Sequence, residues 1–157
     1  MGNIKYLIMD VDGTLTDGKI YMSPSGELMK AFNIKDGCGI HDLLLPAGIE
    51  PVIITGRTSD IVINRCKEIG IREIRQGVKN KISELRSLTD DLSSVAYIGD
   101  DINDLSCMEP VKKAGGLIGC PSDAVEAIRQ IADYCASHKG GDGAVRDFIE
   151  WILTRDQ

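Results

Sequence analysis

At 157 residues, 43% hydrophobic and 27% charged, the chain has the composition of one folded domain and not of a disordered segment. A formal net charge of -6 argues against a nucleic-acid partner, because such proteins neutralise phosphates with surplus Lys and Arg; any phosphate ligand must be held by local donors and a metal. No run approaches the ~18 apolar residues of a membrane span, and Met1 to Tyr6 lacks the apolar stretch of a signal peptide, so a cytoplasmic protein without a membrane partner is expected.

Apolar runs rich in Ile and Val alternate with helix-like stretches, which predicts an α/β fold with a Rossmann-like, doubly wound parallel sheet. The first strand is Tyr6 to Met9. Lys19 to Met22 and Leu28 to Phe32 alternate around Ser23-Pro24-Ser25-Gly26, which reads as a β-hairpin over Ile20 to Phe32 projecting from the sheet. A helix near Gly39 to Leu45 precedes a strand at Pro51 to Ile54, and a helix at Ser59 to Glu68 precedes one at Glu73 to Arg75. Gly48 and Gly70 stand just past these two helical patterns, where a residue free to take positive φ can end a helix. There follow a helix at Lys81 to Leu88, a strand at Val95 to Ile98, a helix at Asn103 to Met108, a strand at Gly116 to Ile118 and a helix at Asp123 to Ile131. The last helix, Ala144 to Leu153, comes after the flexible stretch Lys139-Gly140-Gly141-Asp142-Gly143. With no repeat or linker, residues 1-157 are expected to form a single domain. Cys38, Cys66, Cys107, Cys120 and Cys135 are widely spaced and read as reduced thiols packed as small apolar residues.

Four polar clusters fall where strands end: Asp10-Val11-Asp12-Gly13-Thr14, Thr55-Gly56-Arg57, Lys79-Asn80-Lys81, and Gly99-Asp100-Asp101 with Asp104. In an open parallel sheet, ligands bind outside the carboxyl ends of the strands, so these clusters should converge. Asp10 and Asp12, one residue apart in a turn opened by Gly13, suit a nucleophile and a proton donor. Asp10 can attack phosphorus to give an aspartyl phosphate; Asp12 can protonate the leaving alcohol and later deprotonate the water. Carboxylates approach a phosphate dianion only if positive charge intervenes. Asp10, Asp100 and the backbone carbonyl of Asp12 offer hard oxygen ligands suited to Mg2+, while Asp101 and Asp104 either orient that shell or add a ligand. Thr55 can donate its hydroxyl to a phosphoryl oxygen, Gly56 lets the backbone come close, and Lys81 can neutralise developing charge, with Lys79 its rival. Arg57 and Arg65 are candidates for gripping a carboxylate through paired hydrogen bonds. Taken singly, each of these residues has a plainer use as a cap or a solvated charge, and His41 beside Asp42 reads as structural; the inference rests on the set.

That ordered set, Asp10-x-Asp12-Gly-Thr14, Thr55, Lys81 and Gly99-Asp100-Asp101-x-x-Asp104, resembles the four motifs of haloacid dehalogenase phosphatases. Asp10-Val-Asp-Gly-Thr-Leu-Thr-Asp-Gly18, Lys30-Ala-Phe, Asp36-Gly-Cys-Gly-Ile40, Ile54-Thr-Gly-Arg57, Arg65-Cys66, Gln76-Gly77 and Gly143-Ala-Val-Arg146 narrow it. These strings look like 3-deoxy-D-manno-octulosonate 8-phosphate phosphatases, their relatives acting on nonulosonate 9-phosphates, and the phosphatase-like C-terminal domains of some CMP-sialic acid synthetases. The resemblance implies that Asp10 is the nucleophile, Asp12 the acid/base, Thr55 and Lys81 the phosphate binders and Asp100 the metal ligand. It also implies a phosphorylated sugar-acid substrate and, for the octulosonate type, a place in lipopolysaccharide biosynthesis. A homotetramer is implied too, with the pocket at a subunit interface and Arg65 reaching across from a neighbour. Arg57 matches the octulosonate pattern, whereas Leu105-Ser106-Cys107-Met108 lacks its Trp-Pro. A nonulosonate 9-phosphate phosphatase and a non-catalytic oligomerisation module are therefore the alternatives. Only 42 residues lie between Asp12 and Thr55 and 25 between Thr55 and Lys81, which leaves no room for a cap domain over the site. An apolar hairpin that two strands cannot bury alone gives a separate reason to expect subunit association.

Overall fold

The computed structural model describes residues 3–155. In chain order its elements are β1 (Tyr6–Met9), the hairpin strands β2 (Tyr21–Ser23) and β3 (Gly26–Met29), α1 (Ile34–Cys38), β4 (Glu50–Ile54), α2 (Asp60–Ile69), β5 (Glu73–Arg75), α3 (Lys81–Leu88), β6 (Val95–Ile98), α4 (Leu105–Ala114), β7 (Leu117–Cys120), α5 (Glu126–Ile131), β8 (Tyr134–Cys135) and α6 (Ala144–Arg155).

Six strands make one parallel sheet in the order β5-β4-β1-β6-β7-β8; the apolar runs predict a parallel sheet and five of these strands. Tyr6 of β1 pairs with Glu50 on one side and Val95 on the other. The chain thus leaves β1 for β4 and β5, then returns to its opposite flank for β6, β7 and β8. Such a reversal of strand order opens a crevice at the carboxyl ends of the central strands, which fixes where a site can form. Alternate side chains of β1 face opposite layers. Leu7 and Met9 pack with Ile40, Ile53, Val62, Phe148 and Ile149, and Ile8 packs with Val52, Leu85, Met108, Val111 and Ile128, so both faces of the sheet are covered by helices.

The structure departs from the sequence reading where short-range chemistry overrides periodicity. The helix expected from Gly39 begins at Ile34, because the Asn33 side chain accepts the Lys35 N–H at 2.8 Å and caps it. Over Gly39–Leu44 it widens into a π-type turn in which Leu45 N–H donates to the Ile40 carbonyl. The helix expected to stop at Met108 runs through Pro110 to Ala114, since it buries Cys107, Met108 and Val111 on one face. β7 extends to Cys120, and the unforeseen β8, two residues long, is flanked by backbone bonds from Asp133 to Ile118 and from Ala136 to Cys120. The hairpin forms its own antiparallel sheet, shifted in register between Tyr21 and Met22. Its apolar side chains stay open, Met22 at 58% and Leu28 at 62% exposure. No helix among the described residues is long and apolar enough to cross a membrane.

Candidate active site

Asp10 directly follows β1, Thr55 follows β4, and Asp100 lies two residues beyond the end of β6. These adjacent strand ends frame a cavity of about 480 Å³ lined by Asp10, Asp12, Gly18, Thr55, Gly56, Arg57, Asp100, Asp101, Ile102 and Asn103. Four segments far apart in sequence therefore meet at one rim. Gly13 makes the approach of the first and last segments possible: its φ is +85°, and a Cβ there would collide with the Asp100 carboxylate. Thr14 Oγ1 lies 3.4 Å from Asp100 Oδ1 and donates to it.

Lys81 does not line the cavity but sits behind it. The Asn80 side chain accepts the Ser83 N–H at 3.1 Å, which starts α3 at Lys81 and turns this residue toward the sheet. Its Nζ is 3.3 Å from Asp10 Oδ1 and 2.9 Å from Asp104 Oδ1, while Lys79 is exposed. Asp104, fully buried, also accepts the Tyr97 hydroxyl at 2.7 Å and the Asp100 and Asp101 N–H groups at 3.0 and 3.3 Å. With both oxygens so occupied, Asp104 orients Lys81 and the Asp100 loop. Asp101 caps the short turn Ile102–Asp104 by accepting the Ile102 N–H at 2.7 Å. Arg65 lies away from the cavity, with Nη1 3.1 Å from Glu68 Oε2 and its guanidinium 6.0 Å from the centre of the Phe32 ring.

Asp10, Asp100 and Asp104 each place a carboxylate oxygen within 4.8 Å of the others. Burial, and then the Asp104 charge, push the Asp10 carboxyl up to about 6. Burial, followed by the charges of Asp10, Asp104 and Asp101, pushes Asp100 up to about 8. At Lys81 burial acts to lower the ammonium, but the Asp10 and Asp104 carboxylates outweigh it and hold its pKa above the ordinary value. Three buried or half-buried acids share one ammonium, so the site lacks positive charge. Hard oxygen donors in that arrangement fit a divalent cation of the magnesium type, with Asp10 and Asp100 the acids still free to bind it.

A residue to which the sequence assigned no role completes the picture. Lys30, at the end of the hairpin, places Nζ 2.6 Å from Asp12 Oδ1 and 3.0 Å from Glu27 Oε1, with only 3% of its side chain exposed. Arg57 Nε lies 3.8 Å from the other Asp12 oxygen. Asp10 is thus backed by one lysine and Asp12 by another. The only sequence signal for Lys30 is its place in the string Lys30-Ala-Phe; spacing alone does not connect it to Asp12.

A parallel sheet with an Asp-x-Asp turn after its central strand, a lysine behind the first acid and an acid cluster after the next strand defines a haloacid dehalogenase-type phosphatase. No family model matches the chain. It is 43% identical over 155 residues to 3-deoxy-D-manno-octulosonate 8-phosphate phosphatase KdsC of Escherichia coli strain K12, covering 96% of this chain and 80% of that protein. The phosphatase of the same description from Moraxella catarrhalis, solved with magnesium, phosphate and KDO, superposes with a TM-score of 0.88 at 41% identity, covering 96% of this chain and 86% of the other. The cobalt-bound deoxy-D-mannose-octulosonate 8-phosphate phosphatase of Haemophilus influenzae gives a TM-score of 0.86 at 34% identity over 97% of this chain and 88% of the other. The chain belongs to the 3-deoxy-D-manno-octulosonate 8-phosphate phosphatase family of that superfamily.

Proposed function

We propose that this protein is a Mg2+-dependent phosphomonoesterase that hydrolyses 3-deoxy-D-manno-octulosonate 8-phosphate to the free sugar acid and phosphate, and that residues 1-157 act as one hydrolase domain. The observation that carries the reading is the pairing of two acids at one cavity, Asp10 against Lys81 and Asp12 against Lys30. The names and bound ligands of the relatives support the choice of substrate.

In this mechanism the Asp10 carboxylate attacks phosphorus, the bond to the sugar oxygen breaks, and Asp12 gives that oxygen its proton. Asp12 then takes a proton from the water that cleaves the aspartyl phosphate, restoring both acids. Bound Mg2+, held by Asp10, Asp100 and the Asp12 carbonyl, would supply the positive charge that lets a phosphate dianion enter beside these carboxylates. Thr55 and the Gly56 backbone receive the phosphoryl oxygens, and Lys81 balances charge from behind Asp10. Arg57, at the cavity wall, grips the sugar-acid carboxylate, and Arg65 serves the pocket of a neighbouring subunit. We assign a homotetramer, supported by the open apolar side chains of Ile20, Met22, Leu28, Met29 and Ile34. A cytoplasmic location agrees with five unpaired thiols.

Phosphate release from 3-deoxy-D-manno-octulosonate 8-phosphate, a nonulosonate 9-phosphate and p-nitrophenyl phosphate, with Mg2+ and with chelator, tests the reading. The octulosonate phosphate should give the highest kcat/KM and chelator should abolish turnover. A higher value for the nonulosonate phosphate would reassign the substrate, and no release from any of them would leave an oligomerisation module.

A further inference from the structure

We propose that Asp123 is a positioning residue that holds the two halves of the acid site together from outside, through the glycine strap Gly140-Gly141. Asp123 is exposed and absent from the cavity wall, yet its Oδ1 accepts the Gly140 N–H at 3.0 Å. The strap so held lies directly on the turn that carries the acids. Gly141 N–H donates to the Thr14 carbonyl at 3.2 Å. A Cβ on Gly140 would collide with the Gly13 carbonyl, and one on Gly141 would come within 2.5 Å of Asp17 N. Both positions therefore require glycine, and the approach is backbone on backbone, without a side chain that can give way.

The turn Pro121–Val125 that bears Asp123 grips the other half as well. Val125 N–H donates to the Asp100 carbonyl at 2.9 Å. One turn therefore fixes Asp100 directly and the Gly13–Thr14 backbone through the strap, and Thr14 Oγ1 in turn bonds the Asp100 carboxylate. Release of the strap would let the first turn drift from Asp100, widening the gap a cation must bridge. The cost falls on metal binding and turnover, because Asp123 touches neither the cavity nor its wall.

This rests on the assignment of Asp10 and Asp100 as metal ligands, and its test does not depend on the substrate. Mn2+ binding to the full-length, metal-free protein is measured by electron paramagnetic resonance for wild type, Asp123→Ala and Asp123→Asn, together with amide exchange at Gly140 and Gly141 and thermal unfolding. In Asp123→Ala, amide exchange at both glycines should accelerate and Mn2+ affinity should fall about 10-fold, the low end of the range for residues that support metal ligands. Asp123→Asn keeps an accepting oxygen and should restore both; kcat on the phosphorylated sugar acid should follow, with KM little changed. Unchanged Mn2+ affinity in a folded Asp123→Ala protein, or an equal loss in Asp123→Asn, would overturn the role. If wild type binds Mn2+ but releases no phosphate, the functional reading fails while this one is still decided by binding and exchange.

Discussion

The Lys30 ammonium reaches from the hairpin to lie 2.6 Å from Asp12 Oδ1. Burial acts to lower the Lys30 pKa, but hydrogen bonds to Asp12 and Glu27 outweigh it and hold it above the ordinary lysine value. The ammonium therefore stays charged, and its contact with Asp12 ties the conformation of an otherwise open hairpin to the orientation of the proposed proton donor. Lys30→Met keeps most of the length of the side chain and removes the charge. It should lower kcat by about 100-fold, the scale of one misplaced general acid, with little effect on KM for the phosphorylated sugar acid. Steady-state kinetics check this; kcat within a factor of about two of wild type would show that Asp12 needs no such support.

Asp10→Asn should reduce turnover at least ~1000-fold, since an amide cannot replace the attacking carboxylate. The fold should survive. Asp10 is raised by burial and by Asp104, so neutralising it relieves a repulsion as well as removing a partner of Lys81, which keeps Asp104. Thermal unfolding should show a melting temperature at or near that of wild type while phosphate release disappears. Retained turnover would remove Asp10 from its assigned role.

Metal affinity should depend on pH in a defined way. Without a cation, the Asp100 carboxyl is held up to about 8 and Asp10 to about 6, by burial first and neighbouring acids second. A cation must displace a proton from Asp100 below pH 8 and from both acids below pH 6. Apparent Mg2+ affinity should thus be flat above about 8, fall roughly 10-fold per unit between 8 and 6, and fall faster below that. Calorimetric titration of the metal-free protein from about pH 5.5 to about pH 9 measures this slope. An affinity independent of pH across this range would mean that these acids do not hold the ion.

The sheet was largely legible because each buried strand is a short apolar run, and a run such as Tyr6–Met9 or Val95–Ile98 has few other places to go. The convergence of Asp10, Thr55 and Asp100 follows from parallel strands, whose carboxyl ends share one edge of the sheet without any side-chain detail. Other features depend on register that periodicity does not carry. Whether Lys79 or Lys81 faces Asp10 is decided by where Asn80 starts α3. Asp104 reads as a ligand or an orienting group until its four hydrogen bonds, from Lys81, Tyr97 and the Asp100 and Asp101 amides, are seen. Lys30 was invisible in its role because the hairpin register shifts between Tyr21 and Met22, so alternation does not tell where the side chain ends. The helix expected to end at Met108 continues past Pro110, and the burial of Val111 shows why.

Asp36 supplies a stability prediction separate from the acid site. It is 1% exposed, and its Oδ1 accepts the Arg146 N–H at 3.0 Å in the first turn of α6, while Oδ2 has no hydrogen-bond partner. Burial raises its carboxyl from the ordinary 3.8 to about 6, in spite of the backbone N–H groups of Arg146, Gly143 and Val145 that favour the charged form. Because the folded pKa exceeds the unfolded one, the native state holds more protons between these values. The resulting stability is present in full below about 3.8 and is lost as pH rises through about 6. Wild type should therefore gain on the order of 2–3 kcal/mol relative to Asp36→Asn on going from pH 7 to pH 4, a comparison in which every other titrating group cancels. Urea unfolding of both proteins at the two pH values measures the difference directly. A gap between them that stays constant, or that shifts in favour of the amide as the solution is acidified, would show that burial does not hold this carboxyl up.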